Sequence, residues 1–285
     1  MKVPLKKTFY PEDADRLLHS IGLHAKKRLG QHFLIDVSVK EKILRAAELS
    51  PHDAVVEVGP GLGILTEELV KQAGSIIAVE LDVDLAKRLQ KKLSNYANIR
   101  IITDDILKLD LDGLLGNEKN YKVVANIPYY ITSPLLHYFI YKVTRPSMMI
   151  IMMQKEVALD IASPPGKMSY LSLSMQLFSH PEIICEVPAS CFYPPPRVDS
   201  AVVKFFMRQS PALEVDDING FLEFVHKGFG APRKKISNSL AIGMKIEPLR
   251  ANKILEEAGL DAQRRPGALS MEEWKRLYDL TKGMM

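Results

Sequence analysis

Cysteine is nearly absent from this chain: Cys185 and Cys191 are the only two in 285 residues. So few, at a spacing that fits no zinc pattern, exclude a disulfide-stapled scaffold, and two free thiols in a reducing compartment are expected. Long apolar runs are missing as well. The longest, Met148 to Met153, is strand-sized and falls far short of the ~20 residues a membrane helix needs. Behind Met1-Lys2-Val3-Pro4-Leu5-Lys6-Lys7 stands no apolar run, so neither a secretory signal nor a membrane partner is expected, and the cytoplasm is the expected location. The seven histidines are scattered, which suggests neither a metal site nor a nucleophilic triad, and no metal is expected. The single tryptophan, Trp274, is expected in a core. An excess of one charge sign is scarce too. The net charge of +4 does not by itself argue for a nucleic-acid partner.

What charge there is has a location. Residues 1–30 hold seven Lys/Arg against three acids, an excess equal to that of the whole chain. A basic arm on a neutral body suits an electrostatic grip on phosphates. The rest is ordinary: 47% hydrophobic and 25% charged residues describe a globular protein of one or two domains. No internal repeat is present, no interface signal stands out, and a monomer is expected.

The most informative stretch is Glu57-Val58-Gly59-Pro60-Gly61-Leu62-Gly63. It follows the apolar run Ala54-Val55-Val56 and opens into Ile64 to Val70, giving strand, glycine turn and helix. Glycines there let a ligand approach the backbone, and the helix start offers free N–H groups. A dinucleotide fingerprint would need its third glycine at position 64, where Ile64 stands. G-x-G-x-G after an acidic strand residue resembles S-adenosylmethionine methyltransferases instead. Ser75 to Glu80 is a second buried strand, and Glu80 lies where such a sheet presents a carboxylate to ribose hydroxyls. Ile99 to Thr103 is a third strand. It ends at Asp104-Asp105, either of which suits the amino group of an adenine or caps the next turn.

Tyr121 to Ala125 is a fourth strand, ending in Asn126-Ile127-Pro128-Tyr129. The amino group of adenine is a poor nucleophile because its lone pair is delocalised. Two acceptors on its N–H bonds, the Asn126 side-chain oxygen and the Ile127 carbonyl, would turn that lone pair toward a methyl donor and stabilise the developing positive charge. Tyr129 would stack on a base drawn out of its helix or loop. In the proline-stiffened stretch Phe192 to Ser200, Phe192 would offer a second stacking face.

Further helices are expected over Val37 to Leu49, Asp82 to Leu93, Gln154 to Ala162 and Tyr170 to Ser179, with a short one over Pro11 to Leu18. Strands are expected over Ser147 to Met153, and over Glu182 to Val187 and Ala201 to Met207 as a hairpin-like pair. Beyond Gln209-Ser210-Pro211 only helices are expected: Phe221 to Phe229, Lys234 to Ala241, Leu249 to Ala258, and Met271 to Leu280 with Ser270 and Glu273 as a capping box. The expected organisation is a basic extension over residues 1–25, an α/β sheet domain over 26–210 and a small all-helical domain over 211–285. Arg233-Lys234-Lys235 and Arg264-Arg265 are candidate phosphate contacts.

Four blocks together resemble the ribosomal RNA adenine dimethyltransferases, the kasugamycin-sensitivity enzymes of bacteria and their archaeal and eukaryotic relatives. They are Arg28-Leu29-Gly30-Gln31-His32-Phe33-Leu34, Glu57 to Gly63, Asn126 to Tyr129, and Phe192 to Ala201. The resemblance implies a Rossmann-like class I methyltransferase sheet with a small helical C-terminal domain. It also implies S-adenosylmethionine as cofactor, S-adenosylhomocysteine as product, and the small ribosomal subunit or its precursor as partner. The implied activity is N6,N6-dimethylation of two adjacent adenosines in the 3′-terminal hairpin of 16S-type ribosomal RNA, late in subunit assembly. His32 and Leu34 would border the cofactor, with Gly59 at its methionine part, Gly61 and Gly63 also in the cofactor set, Glu80 at the ribose, Asp105 at the adenine, and Asn126 touching cofactor and target alike. Lys26, Lys27, Arg28, Arg197, Arg233, Lys234 and Lys235 would meet the RNA. His32 stands where many bacterial members carry Asn, Ile127 replaces a common Leu, and residues 1–25 have no obvious counterpart. Two alternatives remain: a large-subunit methylase of the antibiotic-resistance type, and a non-catalytic ribosome assembly factor.

Overall fold

The computed structural model describes residues 15, 16, 18, 22, 24–118, 120–141 and 144–282. These divide into two compact units. The first, residues 1–158 and 182–207, is built on a sheet. Its strands are β2 (Ala54–Val58), β3 (Ser75–Glu80), β4 (Ile99–Thr103), β5 (Tyr121–Asn126), β6 (Met148–Gln154), β7 (Ser179–Val187) and β9 (Ser200–Met207), in the order β4-β3-β2-β5-β6-β9-β7. β2, β3, β4, β5 and β6 run parallel, and β9 lies antiparallel to β6. Every residue of β2 is buried, as expected of a parallel strand covered on both faces. The chain steps outward from β2 to β4 and returns to lay β5 on the other side of β2. Ligands of such sheets bind at the strand ends beside that reversal.

The expected strands form within a residue or two at most ends, and the two late strands are sheet neighbours. A further pairing joins distant motifs. β1 (Phe33–Leu34) and β8 (Phe192–Tyr193) form a short antiparallel ladder, with Phe33 opposite Tyr193 and Leu34 opposite Phe192. Helix α1 (Val37–Ala47) is capped by the Asp36 carboxylate on the Val39 N–H and buries Val39, Ile43 and Ala47. Most of the short helix expected over residues 11–18 lies outside the described residues. Residues 15, 16 and 18 are helical. Leu18 is buried among Phe33, Leu62 and Leu85, and the Tyr193 hydroxyl donates to the Asp15 carboxylate.

The second unit holds residues 159–181 and 208–285. It thus includes Tyr170–Phe178, a helix that a division at residue 210 leaves with the sheet. Its other helices are Ile218–Gly228, Ile236–Met244, Pro248–Glu257 and Met271–Thr281. The last carries the capping box of Ser270 and Glu273. Trp274 is fully buried, stacked on Phe229 at 5.3 Å and edge-on to Phe224. Among the described residues no helix is long and apolar enough to cross a membrane, and no group of three or more His, Cys, Asp or Glu is placed to hold a metal ion.

Candidate active site

A cavity of about 260 Å³ opens at the ends of β2, β3 and β5 in the sheet unit. Three turns build it. The first is the glycine turn after β2, where Gly59 and Gly61 take positive φ values of 70° and 57°. A Cβ on Gly59 would stand 3.2 Å from the Asn126 carbonyl, and one on Gly61 3.2 Å from the Phe33 ring. Only glycine combines that backbone with that closeness. Gly63, expected with them in the cofactor set, does not line the cavity. A Cβ there would meet Leu89 Cδ1 at 2.5 Å, so this glycine seats the turn against helix α2 (Val83–Lys92).

The second turn follows β3. Glu80 lines the cavity and is almost wholly buried. One carboxylate oxygen accepts from the Gly61 N–H and the other from the Asp82 N–H, both at 2.9 Å. The glycine turn is therefore held by the acid expected to bind a ligand. A carboxylate has roughly four acceptor sites, so both oxygens keep capacity for hydroxyl donors. Burial raises the Glu80 pKa, and those two N–H groups work against the rise. Asp82 in turn accepts from Lys26 at 2.8 Å and Gln31 at 2.9 Å. These bonds anchor the segment that carries His32, Phe33 and Leu34 along the cavity wall.

The third turn, after β5, presents Asn126, Ile127, Pro128, Tyr129 and Tyr130 to the cavity. The Asn126 side-chain amide makes no hydrogen bond among the described residues. Tyr129 is held from two sides: its hydroxyl shares a 2.7 Å hydrogen bond with Ser200, and its ring lies near-parallel to His32 at 6.1 Å. The His32 Nδ1 lies 2.7 Å from the Pro194 carbonyl. A carbonyl only accepts, so Nδ1 carries a proton and donates. Phe192 lines the cavity but is 3% exposed and belongs to a core cluster with Leu34. Its ladder with β1 puts it in the wall.

The cavity thus gathers His32, Leu34, Gly59, Gly61, Glu80, Asp105, Asn126, Ile127, Tyr129 and Phe192. Asp104 lines it too, but is the more exposed of the two aspartates. Asp105 accepts from the Leu107 N–H at 3.1 Å and pairs loosely with Lys108 at 3.6 Å. Of the expected RNA contacts, Lys26 is committed to Asp82 and Asp84, at 2.8 and 3.0 Å. Lys27, Arg28, Arg197, Arg233, Lys234 and Lys235 are exposed and lie outside the cavity lining. Arg264 is bound to Glu273 through both guanidinium ends, at 2.6 and 2.8 Å.

One site residue escaped the sequence reading. Glu57 is 1% exposed, and neither of its carboxylate oxygens has a hydrogen-bond partner among the described residues. Burial first, and the charge of Glu80 after it, push its pKa up to about 8. The nearby Thr66 hydroxyl opposes this but makes no hydrogen bond in this geometry. The signal was available: an acid inside a strand otherwise made only of Ala and Val.

Glu57, Glu80, Asp104 and Asp105 line the cavity, and among the described residues no lysine or arginine does. Such a lining opposes the pyrophosphate of a dinucleotide. It suits a ligand that brings positive charge, as the sulfonium and ammonium groups of S-adenosylmethionine do. Fold and site together define a class I S-adenosylmethionine-dependent methyltransferase. The comparisons with known proteins narrow the class. Residues 22–280 match the family described as "Ribosomal RNA adenine dimethylase". The ribosomal RNA small subunit methyltransferase A of Dehalococcoides mccartyi (strain CBDB1) is 47% identical over 264 residues, covering 93% of this chain and 91% of that protein. The protein of the same name from Shouchella clausii (strain KSM-K16) is 40% identical over 277 residues, 94% of each. Among solved structures, the 23S rRNA methyltransferase ErmE is similar with a TM-score of 0.67 and 29% identity, over 88% of this chain and 99% of that one. A dimethyladenosine transferase from Plasmodium falciparum shares the fold with a TM-score of 0.74 and 24% identity, over 88% and 98%. The chain belongs to the ribosomal RNA adenine dimethylase family.

Proposed function

We propose that this protein transfers methyl groups from S-adenosylmethionine to N6 of two adjacent adenosines in the 3′-terminal hairpin of small-subunit ribosomal RNA. It acts late in subunit assembly, in the cytoplasm, as a monomer. The observation that carries the chemistry is the free Asn126 amide, set between the glycine turn and Tyr129 in an acidic cavity. The small-subunit substrate rests on the relatives at 40–47% identity.

S-adenosylmethionine, when bound, supplies an electrophilic methyl on a sulfonium centre. The chain's own residues do the rest. His32 and Leu34 border the cofactor, Gly59 and Gly61 let its methionine end reach the backbone, Glu80 takes the ribose hydroxyls, and Asp105 takes the adenine amino group. Glu57 and Glu80 compensate the cofactor's positive charge in a setting where water cannot. The Asn126 oxygen and the Ile127 carbonyl accept the two N6–H bonds of the target, which frees the lone pair and stabilises the charge growing on nitrogen. Tyr129, fixed by Ser200 and His32, gives the flipped base a flat wall, and Phe192 closes the apolar side behind it. No strong base is needed, because the nitrogen loses its proton after attack. Lys27, Arg28, Arg197, Arg233, Lys234 and Lys235 are left to meet RNA phosphates, and residues 211–285 to help engage the RNA.

The test is to incubate the protein with radiolabelled S-adenosylmethionine and small subunits lacking the modification, alongside large subunits and duplex DNA. Label recovered as N6,N6-dimethyladenosine from small-subunit RNA is expected. Label in large-subunit RNA alone would move the chain to the resistance-methylase alternative; a 23S rRNA methyltransferase is among the structures it resembles. Bound cofactor with no transfer would leave an assembly factor.

A further inference from the structure

Two tyrosines follow Pro128, and they are treated very differently by the fold. Tyr129 is partly enclosed and tied through its ring and its hydroxyl. Tyr130 is 60% exposed, lines the mouth of the same cavity, and makes no hydrogen bond or ring contact among the described residues. It is nonetheless not loosely placed. The Tyr129–Ile131 turn fixes its backbone, and its ring edge lies against Gly30. A Cβ on Gly30 would stand 3.4 Å from Tyr130 Cε1 and 3.2 Å from Pro128 Cβ. A large apolar ring left this exposed on a defined seat has lost part of its freedom in advance without burying its face.

Its neighbourhood is that of a nucleic-acid platform. Gly30 ends the turn Lys27–Leu29, so Lys27 and Arg28 stand three and two residues before the glycine on which Tyr130 rests. Both are exposed, and neither pairs with an acid among the described residues, whereas Lys26 is fully engaged. An open aromatic face beside free cations is the combination that holds single-stranded bases and their phosphates. On the function proposed above, the target base enters beside Asn126, so the next nucleotide of the strand lies one step outward, at the mouth.

We propose that Tyr130 is the stacking platform for the base adjacent to the one being methylated, holding the second target adenosine at the cavity mouth while the first reacts. This rests on the adenosine-dimethylating reading of the site.

The test uses full-length protein and small subunits lacking the modification. It compares wild type with Y130A, Y130L and Y130F, and reads the methylation state of each adenosine separately. Y130A and Y130L are expected to raise the KM for subunits ~10-fold, the loss of about one stacked base, and to leave one adenosine of the pair under-methylated. Y130F, which keeps the ring, is expected to restore both. The Kd for S-adenosylmethionine should stay within about twofold in all three. Unchanged KM and complete modification of both adenosines by Y130A would overturn the proposal. So would Y130F failing as Y130A does, since the hydroxyl rather than the ring would then matter, or a loss of cofactor affinity matching the loss of substrate affinity. Failure of the wild type to methylate small subunits would instead remove the functional reading underneath.

Discussion

The two walls of the cavity are built on opposite principles. On the proposed function one wall receives the cofactor and the other the target nucleotide, and the cofactor wall is backbone and buried acid. Gly59 and Gly61 form its surface, Glu80 holds the turn by accepting from Gly61, and Glu57 lies unpaired beneath. The acceptor wall is side chain. Asn126 carries a free amide, Tyr129 and His32 lean on each other, and Tyr130 stands open. A wall that receives a small cation gains by being dry, because each carboxylate acts more strongly out of water. A wall that receives one nucleotide of a ribosomal subunit must stay open to a much larger body. On that reading affinity for the cofactor belongs to one side and turnover to the other, and substitutions can separate them.

The largest effect is expected on the acceptor wall. Asn126→Ala removes a fixed acceptor from nitrogen as it becomes positive. Losses from deleting one such preorganised group run to ~10²–10³-fold in kcat. Affinity for S-adenosylmethionine, by equilibrium dialysis, should move far less. Equal losses in rate and affinity would erase the division between the walls.

The next effect belongs to the cofactor wall and is read through pH. Glu57 has a pKa near 8 against an ordinary 4.5. Between those values the folded protein keeps the proton and the unfolded chain does not. Stability of the free protein therefore falls as pH rises from 4.5 to 8. A bound cation favours ionised Glu57, so cofactor binding should release a proton in that window and tighten by up to about tenfold per pH unit, levelling above 8. Calorimetry in buffers of different ionisation heat measures the released proton directly. Glu57→Gln keeps the ligand's own titration and removes this contribution. Identical proton release by variant and wild type would clear Glu57 of the role.

Glu80→Gln, which keeps one acceptor oxygen, should weaken the cofactor ~10-fold, the low end of the ~1.5–3 kcal/mol for hydrogen bonds to a charged group. Its rate at saturating cofactor should change little. If kcat collapses instead while affinity holds, Glu80 serves the acceptor wall after all.

These walls were unequally legible in the sequence. The parallel strands announce themselves because burial on both faces leaves unbroken apolar runs, and a strand end plus a glycine turn fixes where Glu80 and Asn126 must stand. The two-residue ladder of Phe33–Leu34 with Phe192–Tyr193 left no trace, since a pairing so short and so distant in the chain has no periodicity. Hence the packing of Phe192 into the wall was not visible. Gly63 reads like Gly59 and Gly61 until Leu89 is seen against it. The helix Tyr170–Phe178 is apolar enough to join any core, and its sequence does not say that it goes with the helical unit. Side-chain pairing was least legible, because Lys26, Lys27 and Arg28 are equivalent as letters.

Those three cations give the smallest and sharpest comparison. Lys26 reaches inward to Asp82 and Asp84 and so supports the cofactor wall. Lys27 and Arg28 stay exposed in the turn that ends at Gly30, which does line the cavity. Each phosphate contact contributes about 0.7–0.9 to the slope of log affinity against log salt. Lys27→Ala and Arg28→Ala should each lower that slope for small-subunit binding by about this amount, with a modest loss of affinity at low salt. Lys26→Ala should leave the slope unchanged and instead loosen the cofactor, since the Asp82 it releases neighbours Glu80 and holds Gln31. A reduced slope in the Lys26 variant would mean that its ion pairs open when RNA arrives. The inner wall would then be coupled to the outer one rather than separate from it.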